Sequence, residues 1–473
     1  MIRVESRSFT GIAVAAMAAL RLAHINLLWS DEDYHLAAAL QLLHGRLPYR
    51  DFWFDKPPLA ALFYCLTGGE SGWPLRLLDF AFVLTCCWFA YKLARAWWGE
   101  REGHIAALLL AFFTTFYLTP ATVPFAVDAL LLLPHLAAIY FAKQSRPLHS
   151  GVCCALGLLT NVKAVFVAAT CAIWLTSDLP LFVAGIALPL ALATVAAAAF
   201  RLLPDFYNQV WRWGLMYAAG NAEPDAFVTG VRRCADWLGF HAALLAAVFA
   251  VIRKDDRFKL TVWFVFSAAT LLLGNHFAPR YFFQLLPVLV VAAARGIVIA
   301  TDLYGRMAQV VLAILLLIPV IRFAPRYLEL TLDNIEGRQT TWTDAALDLD
   351  SQQVADFINT HKHASDSLFV WGYRPDVYVY TRLIAPGKFW DSQPLDGVPA
   401  DRHLQSSVPS PGVAALEYRE QMVRTKPTFI VDGLGKLNPA LKPDHFPSIA
   451  AWLRGYRVVK ETRYSRIYQR FND

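Results

Sequence analysis

Apolar residues occupy the first two thirds of this chain in long runs, separated by short polar clusters. The runs lie near 9–29, 73–93, 103–118, 121–141, 151–163, 164–177, 179–200, 237–253, 259–273, 277–299 and 306–324. A helix needs about 20 apolar residues to cross ~30 Å of hydrocarbon. The pattern therefore predicts a polytopic α-helical membrane protein with about eleven transmembrane helices. The stretch 151–177 reads either as two short spans or as one span broken at "LLTNVKA", because a buried helix can be apolar all round. Past residue 330 or so the pattern changes. "DSLFVWG", "PTFIVDG", "YRVVKE" and "YSRIYQR" are short β-like runs. "TWTDAALDLDSQQVADFINTHK", "GVAALEYREQMVR" and "FPSIAAWLRG" have helical spacing. Such alternation predicts a small α/β domain. The expected organisation is a transmembrane domain over 1–325, with outer loops at 30–72 and 201–236, and an extracytoplasmic α/β domain over 326–473.

Composition agrees with a membrane chain. Of 473 residues 57% are hydrophobic and 17% charged, against about 25% charged in soluble proteins. The net charge of +6 comes from basic residues at the ends of apolar runs, as membrane topology requires. The expected partner is the lipid bilayer, and no nucleic-acid partner is expected. The seven cysteines all precede residue 235 and show no C-x-x-C spacing, which argues against a zinc site or a disulfide scaffold. The first apolar run outlasts the h-region of a signal peptide and reads as an uncleaved span.

The positive-inside rule orients the chain. Arg3 and Arg7, then Lys92, Arg95 and Arg101, then Lys143 and Arg146, then "RKDDRFK" at 253–259, all fall on the cytoplasmic side in one topology. That topology puts the loop after the first span outside, together with 201–236 and everything after about 325. The expected location is the bacterial cytoplasmic membrane, multi-pass, with the active site facing the periplasm or cell exterior.

The ionisable residues then sort by depth. Asp31, Glu32 and Asp33 lie just past the outer end of the first span, and Asp51, Asp55 and Lys56 close the same loop. Asp128, Asn161, Lys163, His276 and Arg280 lie near the outer ends of later spans. Ionisable groups in lipid are costly and mark functional sites by default. Each also has a plainer reading. Acids at a helix start are ordinary capping, Lys56 snorkels from a membrane edge, and Lys163 and Arg280 neutralise Asp128. Asp128 resists capping, since it lies well inside "PFAVDALLLLP". The segment "LQLLHGRLPYRDFW" suits an amphipathic helix in the outer interface, followed by a turn. The whole loop then reads as a membrane-surface lid.

An apolar first helix, then Asp31-Glu32 with the aromatic Tyr34, then "GRLPYRDFWFDKPPL", is a pattern seen elsewhere. With "APRYFFQLLPVLVVAAARG" at 278–296, it resembles the integral-membrane glycosyltransferases that use polyprenyl-phosphate-linked sugars. These include the protein O-mannosyltransferases and the lipid A aminoarabinose transferases. The resemblance implies an enzyme that takes a polyprenyl-phosphate sugar as donor and a glycolipid, glycan or protein as acceptor. It implies Asp31, with Glu32, as the catalytic acid of the first outer loop and Lys56 at the donor phosphate. Arg280 and Lys163 are further phosphate-binding candidates, and His276, Tyr281, Asp55 and Tyr34 complete the candidate set. Some members are associated with a divalent ion, here Mg, Mn or Zn, for which Asp31 and Asp128 are the matching oxygen ligands. No nucleotide cofactor is expected. Asn161-Val162-Lys163 departs from the Thr-Lys-Gly-like turn of many relatives. A lipid or solute transporter, or a ligase or polymerase taking an undecaprenyl diphosphate donor, are the competing readings.

Overall fold

The computed structural model describes residues 6–116, 125–220, 226–251, 257–275, 277–336, 342–398 and 414–471. They form a mostly α-helical fold with one small, unclosed β-sheet near the C-terminus. Among the described residues four helices are long and apolar enough to cross a membrane: Trp73–Trp97, Thr176–Ala199, Pro279–Tyr304 and Arg306–Glu336. A fifth span results when Phe227–Phe240 and Ala242–Val251, bent by 80°, are taken together. The chain is a multi-pass membrane protein, and the expectation of about eleven transmembrane helices is corrected to four or five.

The reason is continuity. An apolar run records where water is absent, not where a helix stays unbroken. The stretch 151–177 contains two helices, Pro147–Leu158 and Ala164–Trp174, of 12 and 11 residues. At 1.5 Å per residue each is only about 16–18 Å long. The run at 259–273 is α-helical only to Ala269 and then tightens into 3-10 turns. Likewise the helix Leu132–Lys143 follows a separate four-residue turn of helix, Val127–Leu130.

The chain divides into two compact units. The first comprises Met1–Ile25, Arg76–Ala196 and Ala222–Gly337. Its central element is Pro279–Tyr304, whose apolar window is 83% buried against 11% for Arg306–Glu336. Small residues make this burial feasible. A Cβ at Gly296 would lie 1.8 Å from the carbonyl oxygen of Ala247, so only glycine lets the two helices approach that closely. At the same helix Arg295 is braced to Glu102 at 2.8 Å.

The second unit comprises Asn26–Leu75, Ala197–Asn221 and Arg338–Asp473. Its sheet has the order β1-β2-β4-β3, from β1 Leu368–Trp371, β2 Phe429–Asp432, β3 Tyr456–Glu461 and β4 Arg466–Arg470. β1 runs parallel to β2, with Trp371 opposite Asp432, and the other pairs are antiparallel. β1 and β2 are buried at every position, as continuous apolar runs in a covered sheet should be. β3 is the exposed one of the two edge strands. It exposes Arg457, Lys460 and Glu461, charges that discourage pairing with another chain.

The helix Glu32–Leu43 differs from the amphipathic interfacial helix that the sequence suggested. Every residue from Glu32 to Gln41 is buried. Its polar groups find partners inside the unit: Glu32 accepts from the Trp29 N–H at 3.2 Å, and Asp33 from the Tyr34 N–H at 2.6 Å. The chain that follows is not a loose lid either. The Trp53 N–H donates to the Lys388 carbonyl at 2.7 Å, and the Phe54 N–H to Gln209 Oε1 at 2.9 Å. Gln209 also donates to the Tyr49 carbonyl at 2.7 Å.

Three buried carboxyl groups of this unit give it a pH dependence. Burial, then Asp376 and Asp31, push Asp33 well above the usual carboxylate range. Burial also raises Asp376. Burial and then the charge of Asp376 lift Asp348 to about 8. In the folded state Asp348 thus keeps a proton that the unfolded chain releases near 3.8. Its contribution to stability is therefore full at low pH and falls as pH rises from about 4 to 8. Asp348→Asn should remove that slope. Between pH 5 and pH 8 the thermal midpoint of the variant should gain roughly 5 °C or more on the wild type. Parallel midpoints across that range would show that Asp348 does not hold the proton.

Candidate active site

In the second unit the candidates gather around the start of the Glu32–Leu43 helix. Asp31 precedes it with φ 77° and makes no side-chain capping bond. Positive φ is uncommon for a non-glycine residue, and Asp and Asn are among those that tolerate it. The Asp31 carbonyl is held by His35 Nδ1. A carbonyl only accepts, so Nδ1 carries the proton, and burial keeps the ring neutral, with its pKa lowered to about 4. His35 also stacks on Tyr64 at 5.5 Å. The ordinary explanation of Asp31, a capping carboxylate, is therefore absent.

Tyr34 ties this helix to the Lys-Pro-Pro turn. Its hydroxyl accepts the Asp55 N–H at 3.2 Å, and its ring packs on Phe54, Tyr373 and Trp390 at 5.0–5.5 Å. Lys56 Nζ lies 2.8 Å from Asp55 Oδ2, and the Tyr49 hydroxyl donates to the Lys56 carbonyl at 2.8 Å. The charges of Asp31, Asp55 and Lys56 all act on the His35 ring. Asp31, Asp33 and Asp55 all act on Tyr373. Asp31, Asp55 and Lys56 are partly exposed, whereas Glu32, Asp33, Tyr34 and His35 are buried. A ligand reaching this group meets the first three. Two buried polar atoms beside Tyr34, His35 Nε2 and Trp390 Nε1, have no hydrogen-bond partner within the protein, although leaving such an atom unmatched costs about 1–3 kcal/mol.

In the first unit Asp128, Asn161 and Lys163 form one cluster. Asp128 Oδ1 accepts from Lys163 Nζ at 2.7 Å and from Asn161 Nδ2 at 3.1 Å. The break at "TNVK" that cuts the apolar run in two is what delivers them. Asn161 Oδ1 accepts the Lys163 N–H at 3.0 Å, and the Lys163 ammonium lies 3.3 Å from the centre of the Tyr281 ring. Arg280 sits beside Tyr281 on the 3-10 turn Pro279–Leu285. His276 lies outside the described residues.

Behind this cluster runs a directed chain of hydrogen bonds. Trp263 Nε1–H donates to His135 Nε2 at 2.7 Å, which leaves the proton on Nδ1. Nδ1 then donates to Gln284 Oε1 at 3.1 Å, and Gln284 Nε2 donates to the Asp128 carbonyl at 2.9 Å. Sequence reasoning missed His135, Gln284 and Trp263, which no local spacing connects. It also missed the buried pair Arg21–Asp79, in which Arg21 further donates to the Thr114 carbonyl at 3.1 Å. Asp79 was legible in principle, because the rule that flagged Asp128 applies equally to an acid inside "LLDFAFV".

Among the described residues no three His, Cys, Asp or Glu side chains gather as a metal donor set. One of the two carboxylate oxygens of Asp128, Oδ1, is taken by an ammonium and an amide. This arrangement fits a neutralised ion pair rather than a cation site.

Residues 55–203 match the family model for dolichyl-phosphate-mannose-protein mannosyltransferase. That match takes in a little under a third of the chain. The match takes in Asp55, Lys56, Asp128 and Lys163 and begins after Asp31. The fold is shared over the whole chain. ArnT from Cupriavidus metallidurans bound to undecaprenyl phosphate superposes with TM-score 0.62 at 13% identity, covering 98% of each chain. The apo form of the same protein gives TM-score 0.62 at 14% identity and the same coverage. The apo oligosaccharyltransferase of Archaeoglobus fulgidus gives TM-score 0.50 at 10% identity, covering 93% of this chain and 71% of that one. No curated protein matches the chain by sequence.

Proposed function

We propose that the protein transfers a sugar from a polyprenyl-phosphate-linked donor to a glycolipid, glycan or protein acceptor at the outer face of the cytoplasmic membrane, with inversion. The observation that carries this reading is the partly exposed group Asp31, Asp55 and Lys56, set in buried surroundings, in a chain whose residues 55–203 match a family of polyprenyl-phosphate sugar transferases. Asp31 is the base. It takes the proton of the acceptor hydroxyl as that oxygen bonds to the anomeric carbon of the sugar. The bond from that carbon to the phosphate oxygen breaks, and polyprenyl phosphate leaves. The leaving group changes from a phosphodiester to a monoester and gains negative charge. A fixed cation near it is therefore worth more in the transition state than in the ground state. Lys56 is that cation, and Lys163 and Arg280 of the first unit are further candidates for the phosphate.

Direct displacement needs no second carboxylate as a nucleophile, so Glu32, turned back to the Trp29 N–H, supports the helix start. The second unit joins 26–75 and 197–221 to the C-terminal part. That grouping supports a reading in which both loops and the tail lie outside, with the outer domain beginning after the helix Arg306–Glu336 rather than near 325.

Lys56→Ala tests the assignment. The Lys56 side chain is about one-third exposed, so its loss should barely disturb folding. A charge-assisted contact to phosphate is worth about 1.5–3 kcal/mol, so transfer from a purified polyprenyl phosphosugar should fall roughly ten- to a hundredfold. Near-wild-type transfer by correctly inserted variant protein would remove Lys56 from the site. Use of a diphosphate-linked donor in place of the monophosphate would overturn the reaction class.

A further inference from the structure

The second unit contains a cavity of about 380 Å³, within the roughly 300–1,000 Å³ range of small-molecule sites. His44 and Arg46, just past the Glu32–Leu43 helix, form one wall. The segments 364–367 and 382–386 form the rest. The acid in this lining, Asp366, is engaged locally: it accepts from the His363 N–H at 2.7 Å and the Thr428 hydroxyl at 3.0 Å.

The two guanidinium groups are fixed by neutral oxygens. Arg46 donates to Gln41 Oε1 and the Ala385 carbonyl at 2.6 Å, to the Gly387 carbonyl at 2.7 Å, and to the Asp51 carbonyl. Arg382 donates to the carbonyls of Gly69 at 2.7 Å and Gly68 at 2.8 Å. Carbonyl groups orient an arginine without cancelling its formal charge. Arg382 has φ 56°, a strained conformation for a residue with a side chain, and its bonds to Gly68 and Gly69 use two of the five N–H donors a guanidinium carries. Lys362 reports the same field from nearby. Burial, and then the charge of Arg382, depress its amine below the ordinary lysine range.

We propose that this cavity is an anion subsite for a phosphate group, as a monoester or diester. Arg382 supplies the charge-assisted donors, and Arg46, His44, Ser365 and Ser367 supply the walls. The helix between this cavity and Asp31 has 12 residues and is therefore about 18 Å long. On the transfer reading above, the phosphate belongs to an acceptor whose charged group is held that far from the reacting hydroxyl. Phosphate binding itself does not depend on that reading.

The test uses the full chain in neutral-lipid nanodiscs at fixed ionic strength, in the Lys56→Ala background to weaken the donor site, and counts as binding in the cavity only what Arg382→Gln and Ser365→Asp remove. The probes are inorganic phosphate and a short-chain phosphatidic acid, with a short-chain neutral lipid as control. Phosphatidic acid should bind, and Arg382→Gln should weaken it tenfold or more. Ser365→Asp removes no described bond and places a carboxylate in the cavity, and it should abolish binding while leaving the thermal midpoint unchanged. Binding of phosphatidic acid alone identifies a lipid headgroup as the source. Equal binding of inorganic phosphate identifies a free anion. Absence of both, or binding that survives Ser365→Asp, overturns the proposal. Sugar transfer is not read in this experiment, so its failure leaves the transferase assignment standing.

Discussion

Asp31→Asn is expected to lower sugar transfer by roughly 10² or more, the scale of losing a general acid–base group, while leaving the fold intact. The structure makes this substitution cleaner than sequence reasoning allowed. Asp31 has φ 77° and no capping bond, and asparagine is as much at home in that conformation. No side-chain capping bond is lost when the charge is removed. The matched control is Asp33→Asn. Burial and the neighbouring acids favour the protonated form of Asp33, so an amide replaces something close to its own shape and charge. Its effect on transfer should be small. Assays of both variants with a purified polyprenyl phosphosugar separate the readings, and equal effects would strip Asp31 of its role as base.

What the sequence revealed and what it hid follow one physical distinction. Features that act on their near neighbours were legible. Asp128 stood out because no capping role fits an acid that deep in an apolar run, and the structure finds it bonded to Lys163 and Asn161. Lys56 was legible from the Lys-Pro-Pro turn, and each of the four short β-like runs carries a strand. Features that depend on distant partners were not legible. The Glu32–Leu43 helix runs into the segment "LQLLHGRLPYRDFW", which reads as amphipathic from its apolar residues at helical spacing before His44 and the aromatic and basic residues after it. It is buried nonetheless, because rings such as Tyr373 and Trp390, more than 300 positions away, cover Tyr34. Gln284 meets His135 across 149 positions, and no spacing rule reaches that far. The count of membrane spans failed for a related reason. Breaks such as the one at Asn161 are made by side-chain bonds to Asp128 and by backbone turns, while hydropathy registers only the apolar residues on either side.

The Asp128–Lys163 pair should show the largest effect on folding. Both side chains are more than nine-tenths buried, and removing one member of a buried pair leaves an uncompensated charge, at a cost of about 3–5 kcal/mol. Asp128→Asn and Lys163→Met should each lower the yield and thermal stability of inserted protein sharply. The combined Asp128→Asn, Lys163→Met variant buries no charge at this position and should recover most of the loss, since a buried pair is often replaceable by neutral groups. Transfer discriminates the two roles of Lys163. Where the lysine only neutralises Asp128, the double variant should work at close to the wild-type rate once corrected for the amount folded. Where it also meets the donor phosphate, as proposed, the double variant should fold well and still transfer about ten- to a hundredfold more slowly, the size of one charge-assisted contact. The Tyr281 ring, 3.3 Å from the ammonium, supports the second outcome. It holds the charge at a fixed point through a cation–π contact. Recovery of stability together with full activity would assign the pair to structure alone and leave the donor phosphate to Lys56 and Arg280.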